Sequence, residues 1–144
     1  MKSEFDWPVE NPYLLRKRVT KDDIDEYGHV NNVRYVEWAA DIAWRHSQTL
    51  GIGFSDYERL GVGCVVWRHE FEYKKPLLPD EEFVLATWIS GSDKRLRVER
   101  SYEIRSATDG SLNFSGKTLF VTIDMRTGKP ARMPQEFIDA YRPA

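Results

Sequence analysis

The stretch from Asn31 to Gly51 limits the fold more than any other. Arg34, Glu37, Asp41, Arg45 and Gln48 recur at steps of three and four, while Val33, Val36, Ala39, Ala40, Ala43 and Trp44 fill the complementary surface. That is the period of an amphipathic α-helix. Asn31 and Asn32 are good N-caps, and Gly51 stands where helices commonly stop. The apolar arc is wide, which predicts a helix largely enclosed by other elements. After it, the Ser-x-x-Glu spacing of Ser55 to Glu58 has the form of a capping box and predicts a short second helix. Only strand patterns follow until the tail.

Val65, Trp67, His69, Phe71 and Tyr73 alternate with Val66, Arg68, Glu70 and Glu72, which predicts a strand with one buried face. Phe83 to Ile89 reads as the next strand. Leu96, Val98, Tyr102 and Ile104 mark the inward face of another, with Arg100 in the same register. The Thr108 to Gly110 turn leads into a strand from Gly116 to Met125, with Leu119, Val121 and Ile123 on one face. Tyr13 to Thr20 reads as a short first strand, Lys21 to Asn31 as a polar loop, and Pro134 to Tyr141 as a terminal helix opened by proline. One strand, a long helix and four strands on short turns make an α+β chain whose antiparallel sheet curls around one helix. Its edge strands need covering, and dimerisation is one way to do that.

The 144 residues, 41% of them apolar and 13% aromatic, suffice for one core and are too few for two, so residues 1–144 read as a single domain. A formal charge of −2, from 21 basic and 23 acidic residues, gives no general attraction to nucleic acid or an anionic membrane. A lone cysteine, Cys64, excludes a disulfide framework and a cysteine metal site and fits a reducing cytoplasm. The opening "MKSEFDWPVENPY" lacks the apolar core of a signal peptide, and no apolar run is long enough to span a bilayer.

Asp25, Gly28, His29, Asn31 and Asn32 crowd into the loop before the long helix. Helix capping alone accounts for some of these residue types. The chemical reading starts from the helix N-terminus, whose N–H groups and positive dipole end suit a developing oxyanion. A carboxylate beside such a site is a layout for attack on a carbonyl. Gly28 lets the backbone approach a ligand or take positive φ, and His29 is placed to orient water, the carbonyl or the acid.

The run "DEYGHVNNVRYVEW" from Asp25 to Trp38 resembles the signature of the hotdog-fold thioesterases of the 4-hydroxybenzoyl-CoA thioesterase-like group, in which Asp-x-x-Gly-His-Val-Asn-Asn-x-x-Tyr opens the central helix. "FEYKKPLLPDEEFVLATW" is similar to the family's Tyr, Pro and acidic landmarks between its second and third strands. The resemblance implies a hotdog fold, a five-stranded antiparallel sheet wrapped around a long central helix, with two protomers joining their sheets and the dimers pairing again into a tetramer. It implies an acyl-CoA thioesterase with Asp25 as nucleophile or general base, backbone N–H groups around Gly28, His29 and Val30 as the oxyanion site, and Asn31, Asn32 and Tyr35 at the substrate. No cofactor is implied beyond the coenzyme A of the substrate. The acyl-carrier-protein thioesterases share the His-Val-Asn-Asn core, but their asparagine two places before the histidine is Tyr27 here, which favours coenzyme A as the leaving thiol. An acyl-carrier-protein thioesterase, a hydratase of the same fold and a non-catalytic acyl-CoA binding protein remain the alternative readings.

Lys94, Arg95 and Arg97 follow a turn, where flexible cations suit the phosphates of coenzyme A; a solvated strand edge is the plainer role. The inward Arg100 calls for a carboxylate partner. His69 reads as a core or interface histidine, and His46 has no second ligand at metal-binding spacing, so no metal site is expected. Cys64 reads as a packed thiol. Trp38, Trp67 and Trp88 are candidates to line an acyl pocket.

Overall fold

The computed structural model describes residues 4–144; residues 1–3, the start of the stretch read as lacking a signal peptide, lie outside it. In chain order the elements are β1 (Tyr13–Arg18), a 3-10 turn (Lys21–Asp23), α1 (Asn32–Thr49), α2 (Phe54–Leu60), β2 (Val62–Tyr73), β3 (Glu82–Ser92), β4 (Arg97–Ser106), β5 (Leu112–Asp124) and α3 (Gln135–Ala140). The strands form one sheet in the order β1-β3-β4-β5-β2, antiparallel at every pairing. β1 and β2 are therefore its edges. The charges of β1 are consistent with that place, because Arg16 and Arg18 pair with Glu82 on its neighbour.

β4 alternates as its sequence predicts: Val98, Arg100, Tyr102, Ile104 and Ser106 are all buried. Asn31 caps α1, its side-chain oxygen accepting from the Val33 N–H at 3.0 Å. The helix lays Tyr35, Trp38, Ala39 and Ile42 onto Phe83, Leu85, Tyr102, Ile104 and Phe114. Expected enclosure of the whole apolar arc is not met within one chain. Val33 and Trp44 remain 54% and 40% exposed, and Ala40 is exposed too. The arc is wider than the one contact stripe a helix presents to a single sheet.

Three local expectations change. In β2 the register shifts between Val66 and Arg68, a bulge at Trp67, so Cys64 and Val66 share a face with His69 and Phe71. The strand is largely exposed, Trp67 at 70%, instead of burying one side. In β5 the more buried face carries Phe114, Thr118 and Thr122, not Leu119, Val121 and Ile123. Thr118 is buried because its hydroxyl takes the Tyr102 O–H at 3.1 Å and meets His69 Nδ1 at 2.7 Å. α2 starts at Phe54, before the Ser55 box, because the Asp56 carboxylate accepts from the Gly53 N–H at 2.8 Å.

Candidate active site

The loop before α1 is closed by its own backbone. The Asp25 N–H donates to the His29 carbonyl at 2.9 Å, and the Gly28 N–H donates back to the Asp25 carbonyl at 3.0 Å. Gly28 takes φ +78° in this turn, a conformation costly for any residue with a Cβ. Ile24 and Val30 bridge below it, and Val30 is buried in the core. One oxygen of Asp25 accepts from the Tyr27 N–H at 2.9 Å, which fixes the carboxylate over the turn.

The second clamp is Arg34, which sequence reasoning had placed only on the polar face of α1. It pairs with Asp23 at 3.3 Å, donates to the Asp22 carbonyl at 3.0 Å and reaches Glu37 at 2.9 Å. The loop is thereby tied to the first turn of the helix. The spacing of Arg34 and Glu37 is visible in the sequence, but the acidic partners on the preceding turn are not.

The N–H groups near the carboxylate are not equivalent. Those of Gly28 and Val30 are engaged, the latter by the Leu77 carbonyl at 3.4 Å. The Val33 and Arg34 N–H groups both bond Asn31, through its side chain and its carbonyl. Among the described residues, those of His29 and Asn32 make no hydrogen bond. The expected span of donors from Gly28 to Val30 thus narrows to His29 and shifts to Asn32. Asn31 spends its side-chain oxygen on the cap. Tyr35, only 4% exposed, stacks on Phe114 at 5.1 Å beneath the loop and has no open face for a ligand.

Lys94, Arg95 and Arg97 lie elsewhere. They surround the β3–β4 turn, where one Asp93 oxygen accepts the N–H groups of Arg95, Leu96 and Arg97. The loop of Asp25 sits by the other end of β3, where its Val30 N–H bonds the Leu77 carbonyl. The 11 residues of β3 separate the two, a span of about 35 Å for an extended strand. Within one chain the acid and these cations do not meet.

A cavity of about 180 Å³ opens between the C-terminal half of α1 and strands β2, β4 and β5. Its walls include Ala43, Trp44, Val66, Tyr102 and Phe120. The tryptophan is Trp44; Trp38 packs on Phe83, Trp88 joins Trp7, Val84 and Ala86 in a separate cluster, and Trp67 faces away. Cys64 also lines it, and burial pushes its thiol up to about 11, which leaves it protonated at neutral pH. Arg100, 2% exposed, enters the same cavity. The carboxylate expected beside it is absent among the described residues. Its donors go instead to His46 Nδ1 at 2.7 Å, Thr87 Oγ1 at 3.3 Å and Ser47 Oγ at 3.3 Å. No cluster of metal-ligating side chains occurs among the described residues.

His46 stacks on Tyr13 with ring centroids 5.2 Å apart and accepts from Arg100. Burial first, and the Arg100 charge second, push it down to about 4. Because the folded value lies below the unfolded one near 6.5, the unfolded chain binds the proton more readily. Stability is then whole above about pH 6.5 and falls as pH drops toward 4. The full shift sets a ceiling of roughly 3.4 kcal/mol, which partial exposure of the ring reduces to about 1–2 kcal/mol. Urea unfolding at steps between pH 7 and 4 should show this slope, and His46→Gln should flatten it; an unchanged slope would assign the loss to other groups.

The profile of the thioesterase-like superfamily matches residues 19–141. The Bacillus subtilis protein YneP, named for an inferred acyl-CoA thioesterase activity, is 27% identical over 117 residues, 81% of this chain and 83% of its own. A DHNA-CoA thioesterase from Staphylococcus aureus is 26% identical and superposes with a TM-score of 0.79, covering 90% of this chain and 88% of that one. Another Staphylococcus aureus protein, solved in complex with CoA, superposes at 0.84 with 17% identity, over 96% of this chain and 90% of that one. With the matched region running from Val19 through the Asp25 loop, α1 and all four later strands, the chain belongs to the thioesterase-like superfamily and shares the hotdog fold of its thioesterases.

Proposed function

We propose that this thioester hydrolase is an acyl-CoA thioesterase whose residues 1–144 form one hotdog domain, with α1 as the helix its sheet encloses on dimerisation. The observation that carries the reading is the Asp25 carboxylate held over a closed turn beside the uncommitted N–H groups of His29 and Asn32. The thioester oxygen accepts from those two donors as negative charge builds on it. In the general-base route Asp25 takes a proton from water as the oxygen of that water adds to the carbonyl carbon. The carbon–sulfur bond then breaks, and the proton passes to the departing thiolate, giving free acid and coenzyme A. In the nucleophilic route an Asp25 oxygen forms the new bond, expels the thiolate, and water cleaves the resulting anhydride. His29, exposed on the same turn, orients the water or the acid.

The assembly is a homodimer through β2, itself pairing into a dimer of dimers. β2 is an exposed edge that carries Val65, Val66, Trp67 and Tyr73 at 39 to 70% exposure, and the uncovered stripe of α1 lies on the same chain at Val33, Ala40 and Trp44. Such an edge pairs readily with its own copy. A two-fold axis between two β2 strands reverses the sheet end for end. It brings the Lys94, Arg95 and Arg97 turn of one copy toward the Asp25 end of the other, where the cations meet the phosphates of coenzyme A. It likewise sets the cavity of one copy beside the loop of the next. The protein acts in the cytoplasm, a reducing compartment that its lone Cys64 fits, and its net charge of −2 gives no general attraction to nucleic acid or an anionic membrane.

The test is loss of thioester absorbance across short, long and aromatic acyl-CoAs, with an acyl-carrier-protein thioester run alongside. Turnover of at least one acyl-CoA with release of coenzyme A is expected. Hydration of an enoyl-CoA without thiol release would point to a hydratase, and saturable binding with no turnover of any thioester would leave a binding protein.

A further inference from the structure

Arg100 brings a formal charge to the cavity, and the hydrolytic machinery does not use it. Its guanidinium is buried on the inward face of β4, and its partners among the described residues, His46, Thr87 and Ser47, are all neutral acceptors. His46 is held neutral by its surroundings, so it offers a lone pair and no charge. A buried cation without a counter-charge is costly, and apolar side chains of similar volume would fold as well or better in its place. Tyr57, Tyr141 and Tyr102 stand around the same cavity, and burial raises each phenol, so none supplies an anion at neutral pH. The charge therefore stands against the folding preference, inside a space a ligand can enter.

The size of that space sets what enters. At about 180 Å³ it is close to the roughly 150 Å³ of a cavity that accepts benzene, so it suits an acyl group of about four to six carbons and not a long fatty chain. The aromatic and aliphatic walls take methylene groups, and the polar end is cationic.

We infer that Arg100 is a specificity-determining residue that reads a carboxylate at the far end of a short acyl chain, so that the preferred substrates are CoA monothioesters of small dicarboxylic acids. The inference rests on the acyl-CoA thioesterase reading for the cavity's role. The carboxylate completes the charge that the fold leaves unpaired, while the thioester end stays at the mouth beside the Asp25 loop of the second copy. Arg100 can keep its bond to His46 Nδ1 and turn a remaining N–H toward the ligand. A neutral acyl chain of equal length leaves the guanidinium desolvated and uncompensated, and is selected against for that reason.

The experiment compares glutaryl-CoA with valeryl-CoA, which has the same carbon count without the carboxylate, on the full-length protein. Both kcat/KM on wild type and equilibrium binding to Asp25→Asn are measured, so that a lack of turnover does not silence the second readout. Wild type should favour glutaryl-CoA by about 10²-fold or more in kcat/KM, and the Asp25→Asn protein should bind it more tightly by a similar factor. Arg100→Met should reverse the order, losing glutaryl-CoA turnover and gaining valeryl-CoA turnover at unchanged oligomeric state. Arg100→Gln, which keeps donors without charge, should remove the preference without reversing it. Equal or better handling of valeryl-CoA by wild type in both readouts would overturn the role of Arg100 and leave the thioesterase reading standing. Selective binding of glutaryl-CoA with no hydrolysis of any thioester would uphold Arg100 and overturn the thioesterase reading instead.

Discussion

Asp25→Asn should lower kcat on the preferred acyl-CoA by about 10²–10⁴-fold, the range associated with removing a positioned general base, while its melting temperature should stay at the wild-type value. The substitution separates chemistry from structure because of what the carboxylate touches. Among the described residues its one hydrogen bond is from the Tyr27 N–H, at 2.9 Å. The amide oxygen of asparagine can accept that same bond, so the turn that places His29 and Gly28 persists. What asparagine cannot do is take a proton from water or form an anhydride. The N–H groups of His29 and Asn32 remain to hold the thioester oxygen, so KM should move little. Thioester loss followed by absorbance, together with a thermal melt, checks both halves. A variant that keeps more than a tenth of wild-type kcat would remove Asp25 from the mechanism. A variant that melts well below wild type would show that the carboxylate serves the loop rather than the substrate.

The sequence carried the element order because its signals were local. Asn31 as a cap, the steps of α1 and the strict alternation of β4 all arise from residues a few places apart. Where it misled, a nonlocal partner decided. Alternation in β2 is real in the sequence, but one bulge at Trp67 moves the second half of the strand to the other phase. Edge position then leaves it exposed, and no pattern within twelve residues says which strand will be an edge. The site divides in the same way. Asp25, Gly28, His29 and Asn32 are close in sequence and close in space. Tyr35 belongs to the same motif yet serves the core, since the helical period turns it inward, onto Phe114. Arg100 was legible as inward but not as unpaired, because its three acceptors come from α1 and β3, far away in the chain. The cations of the β3–β4 turn can join the acid only through a second copy, which the chain's own order cannot express.

The largest loss of stability is expected from Phe114→Ala, about 3–5 kcal/mol, or a fall in melting temperature of roughly 10–15 °C for a domain of this length. Phe114 has no exposed surface and stands where three elements meet. Tyr35 of α1 stacks on it at 5.1 Å, and Phe71 and Tyr73 of β2 meet its ring edge-on at 5.2 and 5.5 Å. Alanine leaves a cavity that ring-shaped neighbours cannot fill by small shifts, so the transfer loss and the cavity term add. The consequence extends to the site. Tyr73 donates its hydroxyl hydrogen to the Asn32 carbonyl at 3.2 Å, and Tyr35 sits on the first turn of α1, so loosening this cluster loosens the turn that presents the Asn32 N–H. At a temperature where the variant is still folded, kcat should fall by about tenfold, since donors displaced by even a fraction of an ångström lose much of their value in the transition state. Phe114→Leu refills most of the volume and should recover more than half of both losses. Urea unfolding and turnover at 15 °C measure the two effects in parallel. A stability loss under 1 kcal/mol would mean that the neighbouring rings close the gap, and a full stability loss with wild-type kcat would mean that the turn of α1 is held by its own cap and by Arg34, independently of the core beneath it.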